Sequence, residues 1–261
     1  MIHEYISHVV KRKIPTTYNF KGTEWGGFKI QKNVKTKEWK KKPSLLGMFT
    51  SPSLQFERMK TNEKIWGIFF LVALLQGLLG GLSKYVMYSS PEMVRMRTEL
   101  GELADKSTLT GEVISGVVSN SVGAMIGALF ITAIYKVFMV FFGNDTSYKT
   151  LLTIVIYTNI ILIVGGLINT ILSFIVGGGS TQYTGLGKIL SEGTFTYGIG
   201  NAIEVFYIWN LVLIWLGLQI TAGLSKVKAV IPIIILFIIK VGFLATIMIL
   251  IARFLPGVPM Q

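Results

Sequence analysis

The sequence predicts an all-α integral membrane protein, with five transmembrane helices and amphipathic interfacial helices. Of its 261 residues, 51% are hydrophobic and 15% are charged, whereas a soluble domain carries about 25% charged residues. The apolar residues come in runs of roughly 20, and such a run forms a helix that crosses the ~30 Å hydrocarbon core of a bilayer. The charge is uneven, because residues 1–64 hold 14 Lys and Arg against 5 Asp and Glu. Basic segments stay in the cytoplasm, so we expect the amino terminus inside and the carboxyl terminus outside.

Residues 1–42 show no periodic apolar pattern and predict a basic flexible tail. We expect residues 1–30 to precede the native start of the protein. The charge of the tail fits retention in the cytoplasm, contact with anionic lipid headgroups or binding of nucleic acid. Retention needs only the positive-inside bias, and no recognisable nucleic-acid motif accompanies the lysines. We therefore expect membrane lipid as a partner, and no nucleic acid.

Residues 43–61 predict an interfacial amphipathic lead-in, because apolar side chains alternate there with polar ones. Ser51 followed by Pro52 is a typical helix start, with a capping hydroxyl and then proline in the first turn. Such a helix would lie on the inner headgroups, with Arg58 and Lys60 reaching lipid phosphates. An unstructured connection to the first span is the alternative.

Residues 62–257 form the predicted five-span membrane domain. In its last hairpin two apolar runs within residues 199–254 flank the short turn 223–228, whose Lys226 and Lys228 place it inside. A second amphipathic helix is expected on the outer surface after Ser90-Pro91, bearing acidic side chains. The five spans are predicted at residues 65–86, 113–142, 150–176, 199–221 and 229–254. The outer acids are Glu92, Glu99, Glu102 and Asp105.

Small residues recur every fourth position in span two, at Ser115, Ser119, Gly123 and Gly127. In lipid such a smooth face lets another helix approach closely, because packing drives helix association there. We name these four residues the small-residue stripe. Packing within the monomer is the favoured reading, and a contact between two copies in a homo-oligomer is the alternative.

Three polar side chains are predicted at one level near the middle of the membrane. Lys240 follows Lys228 by twelve positions, or ~18 Å of helix, and Asn159 and Asn210 lie at similar depths in spans three and four. Interhelical hydrogen bonding would make this cluster a structural knot that fixes helix register. Because mid-membrane charge often marks function, a substrate or ion site is a second reading, and snorkelling of the lysine is a third.

The residue inventory argues against most catalytic chemistry in the membrane domain. The chain has no cysteine, and its two histidines, His3 and His8, both lie in the tail. Thiolate chemistry, a histidine-based metal site and a serine–histidine triad are therefore excluded from the spans. No paired acids or metal-ligand spacings occur there either, so we expect no enzyme activity, no metal and no cofactor.

The predicted inner segments resemble those of the Yip-domain family of five-span membrane proteins. Their order and spacing carry the likeness, which covers about residues 43–255. The motifs are PSLL (43–46), SPS (51–53) and FER (56–58) ahead of span one, FGNDTSYK (142–149) before span three, and WLGL (215–218) and LSKVKA (224–229) in the last hairpin. The chain lacks the long acidic amino-terminal domain of the eukaryotic members and is similar to the compact bacterial ones. Among these, the lead-in resembles the Ykn-type subunit that accompanies an ABC exporter.

The resemblance implies a membrane accessory protein that modulates an ABC exporter in a bacterial cytoplasmic membrane and protects against a secreted antimicrobial peptide. The expected partner contacts are the small-residue stripe and the polar residues of the inner turns. The turn residues are Asp145, Lys149, Ser225, Lys226 and Lys228. A small transporter or channel that uses the polar level around Lys240 is the alternative function.

Overall fold

The structure is a computed structural model that describes residues 42–61, 64–101, 107–176, 182–190 and 194–254. Its described residues are helical apart from loops and one isolated bridge between Gly185 and Glu204. A 3₁₀ turn, Leu186–Ile189, precedes the seventh helix. The helices are α1 (Gly47–Thr50), α2 (Pro52–Met59), α3 (Trp66–Tyr88), α4 (Pro91–Leu100), α5 (Leu109–Phe141), α6 (Tyr148–Val176), α7 (Phe195–Ala202), α8 (Val205–Ile220) and α9 (Lys226–Phe254).

Four helices, α3, α5, α6 and α9, are long and apolar enough to cross a membrane, and α8 is a shorter apolar helix. The predicted fourth span is therefore wrong in its extent, because the chain breaks after α7 and begins α8 afresh. At the break Ile203 leaves the helical conformation and Glu204 is extended, and the Ile203 carbonyl accepts a 3.1 Å hydrogen bond from the Leu186 amide. The 16 residues of α8 are about 24 Å long.

Local capping sets several of the helix boundaries. Ser90 accepts the Met93 amide at 3.3 Å and begins α4, and Thr108 accepts the Gly111 amide at 3.1 Å and begins α5. The α5 and α8 helices end before Gly143 and Gly223, whose φ angles of 65° and 70° suit glycine. The amphipathic helix expected after Ser90 is thus present as α4.

The α6 helix is the centre of the bundle. In its most apolar stretch 61% of the residues are buried, against 22% in α5 and 17% in α9. It packs against α3, α5 and α8, while α9 packs against α7 and α8. Because α5 and α9 bury so little, their apolar sides are left for lipid or for another protein.

The α3 and α5 helices approach each other closely through glycines. A Cβ atom at Gly116 would lie 2.7 Å from the Gly80 carbonyl oxygen, and one at Gly81 would lie 2.6 Å from Val117 Cγ2. Backbones approach this closely only where side chains are absent, and small residues at membrane helix interfaces permit it. The glycines of α3 therefore hold span one against span two.

The lead-in is helical, as α1 and α2, but its apolar side covers protein rather than lipid headgroups. Met48 and Phe56 are both fully buried, and the two helices pack against α6 and α8. The Phe56 ring sits on Gly217, where an added Cβ would be 2.7 Å from Cε1 of the ring. The α6 and α8 helices offer this face a groove, and the position of the lead-in at the membrane surface stays a prediction.

The two ends of the bundle are formed by different structural elements. The turn end comprises α1, α2 and residues 142–149 and 221–228, and the loop end comprises α4, the 3₁₀ turn and α7. Several predictions lie outside the described residues: the tail up to residue 41, its expected late start, Glu102, Asp105 and the chain beyond residue 254.

Candidate functional site

The two short turns of the turn end are fastened to each other. The Asn144 side-chain amide donates to the Ala222 carbonyl at 3.0 Å, and the Thr146 hydroxyl donates to the same oxygen at 3.3 Å. Lys228 Nζ donates to the Phe142 carbonyl at 3.3 Å. Each bond satisfies a carbonyl that a helix end leaves without an intrahelical partner. The turns therefore behave as one unit.

The lead-in is attached to the same unit. The Thr221 hydroxyl donates to the Phe56 carbonyl at 3.0 Å, and the Tyr157 hydroxyl donates to the Pro43 carbonyl at 3.3 Å. Gln55, only 2% exposed, accepts the Ser44 amide at 2.9 Å through Oε1. Three segments distant in sequence thus form one continuous polar surface, held by hydrogen bonds across 76 to 165 positions.

The structure places the predicted turn contacts on the outside of this surface. Asn144 and Thr146, which fasten the turns to each other, are not among the predicted contacts. Lys228 is both a fastening side chain and a predicted contact. The exposed members are Asp145, Lys149, Ser225, Lys226 and Lys228. The turn end is therefore both fixed in shape and open to a partner.

A cleft of about 420 Å³ lies between α5 and α8, with α6 at its base. The helices α3 and α9 contribute Val72, Gln76 and Leu236 to it. In the described part of the chain α5 packs on α3 and α6, and α8 packs on α6 and α9, so the cleft separates two helix pairs. Apart from four side-chain amides, the other residues that line the cleft are mostly aliphatic or aromatic.

Four side-chain amides line this cleft: Gln76, Asn120, Asn159 and Asn210. Asn120 donates to the Gly116 carbonyl within its own helix at 2.9 Å. Asn210 is 3% exposed, and its Nδ2 atom has no hydrogen-bond partner among the described residues. A buried amide donor without a partner is costly, and more so in hydrocarbon, where water is absent.

The small-residue stripe forms one wall of the cleft. Ser119, Gly123 and Gly127 line it, and all four stripe residues, including Ser115, are exposed. A Cβ atom added at Gly123 or Gly127 would meet no atom within 4 Å. The favoured reading of the stripe, packing within the monomer, is therefore wrong. A neighbouring face of α5, with Gly116 and Val117, makes that contact instead.

Lys240 lies beside the cleft, on the ring of Tyr207. Its Nζ atom is 3.1 Å from the ring centroid, a cation–π arrangement. Tyr207 lines the cleft together with Asn159 and Asn210. The structure thus brings the two predicted asparagines into one cavity and sets Lys240 against its border. No hydrogen bond joins the lysine to either asparagine in the described part of the chain.

A polar network at the loop end holds Tyr207 in place. Glu204 accepts the Tyr207 amide through Oε2 at 2.6 Å and the Thr184 hydroxyl through Oε1 at 2.6 Å. Asn169 on α6 donates to Thr184 Oγ1 at 2.7 Å. Glu204 therefore caps α8 at its first turn and ties the preceding loop to α6.

Two further cavities continue from the cleft toward the loop end. One, of about 360 Å³, shares Gln76 and Asn120 with the cleft. The next, of about 270 Å³, lies under α4 and shares Lys84 with it. Lys84 forms a 3.0 Å ion pair with Glu112. The three cavities are therefore neighbours that share polar lining residues, from α4 to the level of Gln76.

The sequence pattern missed Gln76, Asn120 and Tyr207. Gln76 stands midway along span one, and its depth alone was a signal that a polar side chain lay at the same level as Asn159 and Asn210. Tyr207 carried no such signal, because an aromatic residue near a helix end is typical of membrane interfaces. Among the described residues, no group of His, Asp and Glu side chains is arranged to hold a metal ion.

Comparison with known proteins gives two matches. The family model described as the Yip1 domain matches residues 46–249. The chain is 32% identical over 218 residues to the Bacillus subtilis (strain 168) protein named "Membrane protein YknW", a match that covers 82% of this chain and 93% of the relative. No solved structure matches.

Proposed function

This chain belongs to the Yip1 domain family of membrane proteins, and from that premise we propose that it is a non-enzymatic accessory protein of a partner membrane complex. The proposed partner is an ABC exporter of the bacterial cytoplasmic membrane, and the proposed role is protection against a secreted antimicrobial peptide. The proposal applies to this chain the role that its resemblance to the compact bacterial members implies. Its physical support comes from the turn end.

The proposal rests on one observation: the turn end is a fixed surface with free polar side chains. Hydrogen bonds between the turns and the lead-in hold its backbone in place, while Asp145, Lys149 and Lys226 remain exposed. A surface that is already ordered loses little conformational entropy when a partner binds. Charges on it favour fast and selective encounter with a complementary face.

We propose that α8 also spans the membrane and that the turn end faces the cytoplasm, in accord with its lysines. The chain has no cysteine, so single cysteines report on sidedness without interference. In intact cells Thr108→Cys and Gln182→Cys are expected to react with a membrane-impermeant thiol reagent, while Thr146→Cys and Ser225→Cys react only after lysis. Labelling of Ser225→Cys from outside would reverse the arrangement.

The function itself is tested by copurification from crosslinked native membranes. We expect an ABC permease to copurify with the wild-type protein. The double charge reversal Lys149→Glu, Lys226→Glu is expected to lower the amount of copurified permease about tenfold, because two charges at the rim of an interface strongly change the encounter with the partner. Arg95→Glu, an exposed reversal on α4 at the loop end, is the matched control and is expected to leave the yield unchanged.

Deletion of the gene is expected to sensitise cells to a secreted antimicrobial peptide. Unchanged sensitivity, together with no permease in the crosslinked sample, would contradict the exporter role.

A small transporter or channel is the second candidate, favoured by the series of polar cavities that begins under α4. Its path would run past Lys84 and Gln76 to the Tyr207–Lys240 pair. Purified protein in liposomes would then release potassium or chloride, and Lys240→Gln would alter the rate. Equal efflux from protein-free liposomes would remove this candidate.

A further inference from the structure

We propose that the cleft between α5 and α8 is the docking site for a single transmembrane helix of a partner protein, one that presents small residues and a side-chain hydrogen-bond acceptor at mid-membrane depth. The proposal deepens the accessory role and rests on it for the existence of a membrane partner. It names a second contact, within the bilayer, in addition to the turn end.

The first reason is that the cleft has the position of an absent helix. The α5 and α8 helices stand on either side of it, each packed on α6, which lies at its base. The α5 wall has no side chains at Gly123 and Gly127, and nothing in the described chain lies within 4 Å of the Cβ positions there. At these two positions the wall is open to close approach by a neighbouring helix.

The second reason is the unpaired amide of Asn210. Its side chain is 97% removed from solvent yet offers a donor that no described residue accepts. Gln76 and Asn159 add further amide groups to the same cleft. The occupant must therefore supply an acceptor at this depth. Acyl chains carry none at mid-membrane, whereas Ser, Thr, Asn and Gln side chains of transmembrane helices supply such bonds.

The third reason is the shape of the open wall. The part of the stripe that lines the cleft, from Ser119 to Gly127, runs eight residues, or ~12 Å along the helix, and its positions project only a hydroxymethyl group and hydrogens. A rigid helix gains close backbone contact from such a surface. A flexible acyl chain packs against rough and smooth surfaces alike, so the stripe favours a helix as the occupant.

A second copy of this chain fits less well. Its own stripe lies on α5, which is flanked by α3 and α6 along its length. Two neighbouring helices would approach with it and would meet the α3–α5 and α8–α9 pairs that border the cleft. The occupant we propose is thus a helix of a different protein, one without close neighbours on the inserted side.

Photocrosslinking in native membranes tests the assignment. A benzophenone side chain is placed at Gly127 in the full-length protein, and at Leu78 on α3 as the control, since Leu78 is 54% exposed on an outer face. We expect Gly127 to crosslink to a membrane-spanning segment of another protein, identified by mass spectrometry of the joined peptides. Leu78 is expected to capture lipid.

Two second-site changes then show that capture depends on the cleft. Gly123→Leu is expected to lower the yield from position 127 about tenfold, because it fills the middle of the stripe, whereas the probe at Gly127 stands at its end. Asn210→Leu is expected to lower it about threefold, the size of a typical interhelical hydrogen bond in lipid. Both variants should keep the thermal stability of the purified protein, because Gly123 faces open space and the Asn210 donor has no partner to lose.

The other outcomes are distinct. The proposal would be overturned if position 127 crosslinked to lipid alone or to a second copy of this chain. It would also be overturned if neither Gly123→Leu nor Asn210→Leu changed the crosslinking yield. Loss of stability in Asn210→Leu would assign that amide to the fold and overturn it as well. An exporter that copurifies through the turn end while position 127 captures only lipid would leave the proposed function intact. A captured helix from a protein outside any exporter would support the cleft and refute the exporter role.

Discussion

Gly116→Leu is expected to destabilise the protein by about 3 kcal/mol or more, the upper range for overpacking. Any Cβ at this position would lie 2.7 Å from the carbonyl oxygen of Gly80 and 2.7 Å from Lys84 Cγ. The carbonyl belongs to the backbone of α3 and cannot rotate away, so the two helices must separate. Thermal unfolding of the purified protein in detergent, followed by tryptophan fluorescence, measures the loss.

Gly123→Leu is the matched control for this change. It introduces the same side chain into the same helix, two turns further on, where nothing lies within 4 Å of the added Cβ. Its stability is expected to equal that of the wild type. Equal losses in the two variants would show that both faces of α5 are packed within the monomer, contrary to the open cleft.

Phe56→Ala is expected to release the lead-in from the bundle and to destabilise the protein by about 3–5 kcal/mol, the usual cost of a buried Phe→Ala change. The Phe56 ring is fully buried and fills the surface over Gly217 and Ile154. Without it, the Thr221 hydroxyl bond to the Phe56 carbonyl has no packing to keep it in place. Thermal unfolding in detergent measures the stability, and cleavage by trypsin at Arg58 and Lys60 reports on the lead-in.

Leu46→Ala is the control in the same segment, because its side chain is 77% exposed. It removes apolar surface from the lead-in without opening a cavity, so resistance to trypsin should be kept. If Phe56→Ala were as resistant as the wild type, the lead-in would be held by its hydrogen bonds alone.

Gly116 and Gly123 of α5 show why the pattern of small residues was read on the wrong face. Ser115, Ser119, Gly123 and Gly127 repeat at four-residue intervals, and Gly116 begins a second face one position further along the chain. One residue turns a helix by about 100°, so adjacent positions point to different neighbours. Which face meets α3 depends on Gly77, Gly80 and Gly81 of another helix, and no pattern within span two records them.

Lys240 shows a similar limit. Its depth followed from counting residues along α9, and the same count placed Asn159 and Asn210 at its level. Depth says nothing of the direction in which a side chain points around its helix. The partner that the lysine meets, the Tyr207 ring, depends on how α8 and α9 cross and on Glu204 capping α8.

The sequence by itself determined the class of the protein, its four long apolar helices, the α4 helix and the family. These depend on local properties: the length of an apolar run, a capping hydroxyl at Ser90, a glycine after a helix and the order of short motifs. Tertiary structure alone decided the break before Glu204, the docking of the lead-in, the single surface of the turn end and the cleft beside Asn210. Each of these arises between helices far apart in the chain, where packing and hydrogen-bond geometry select one arrangement among many that the local pattern allows.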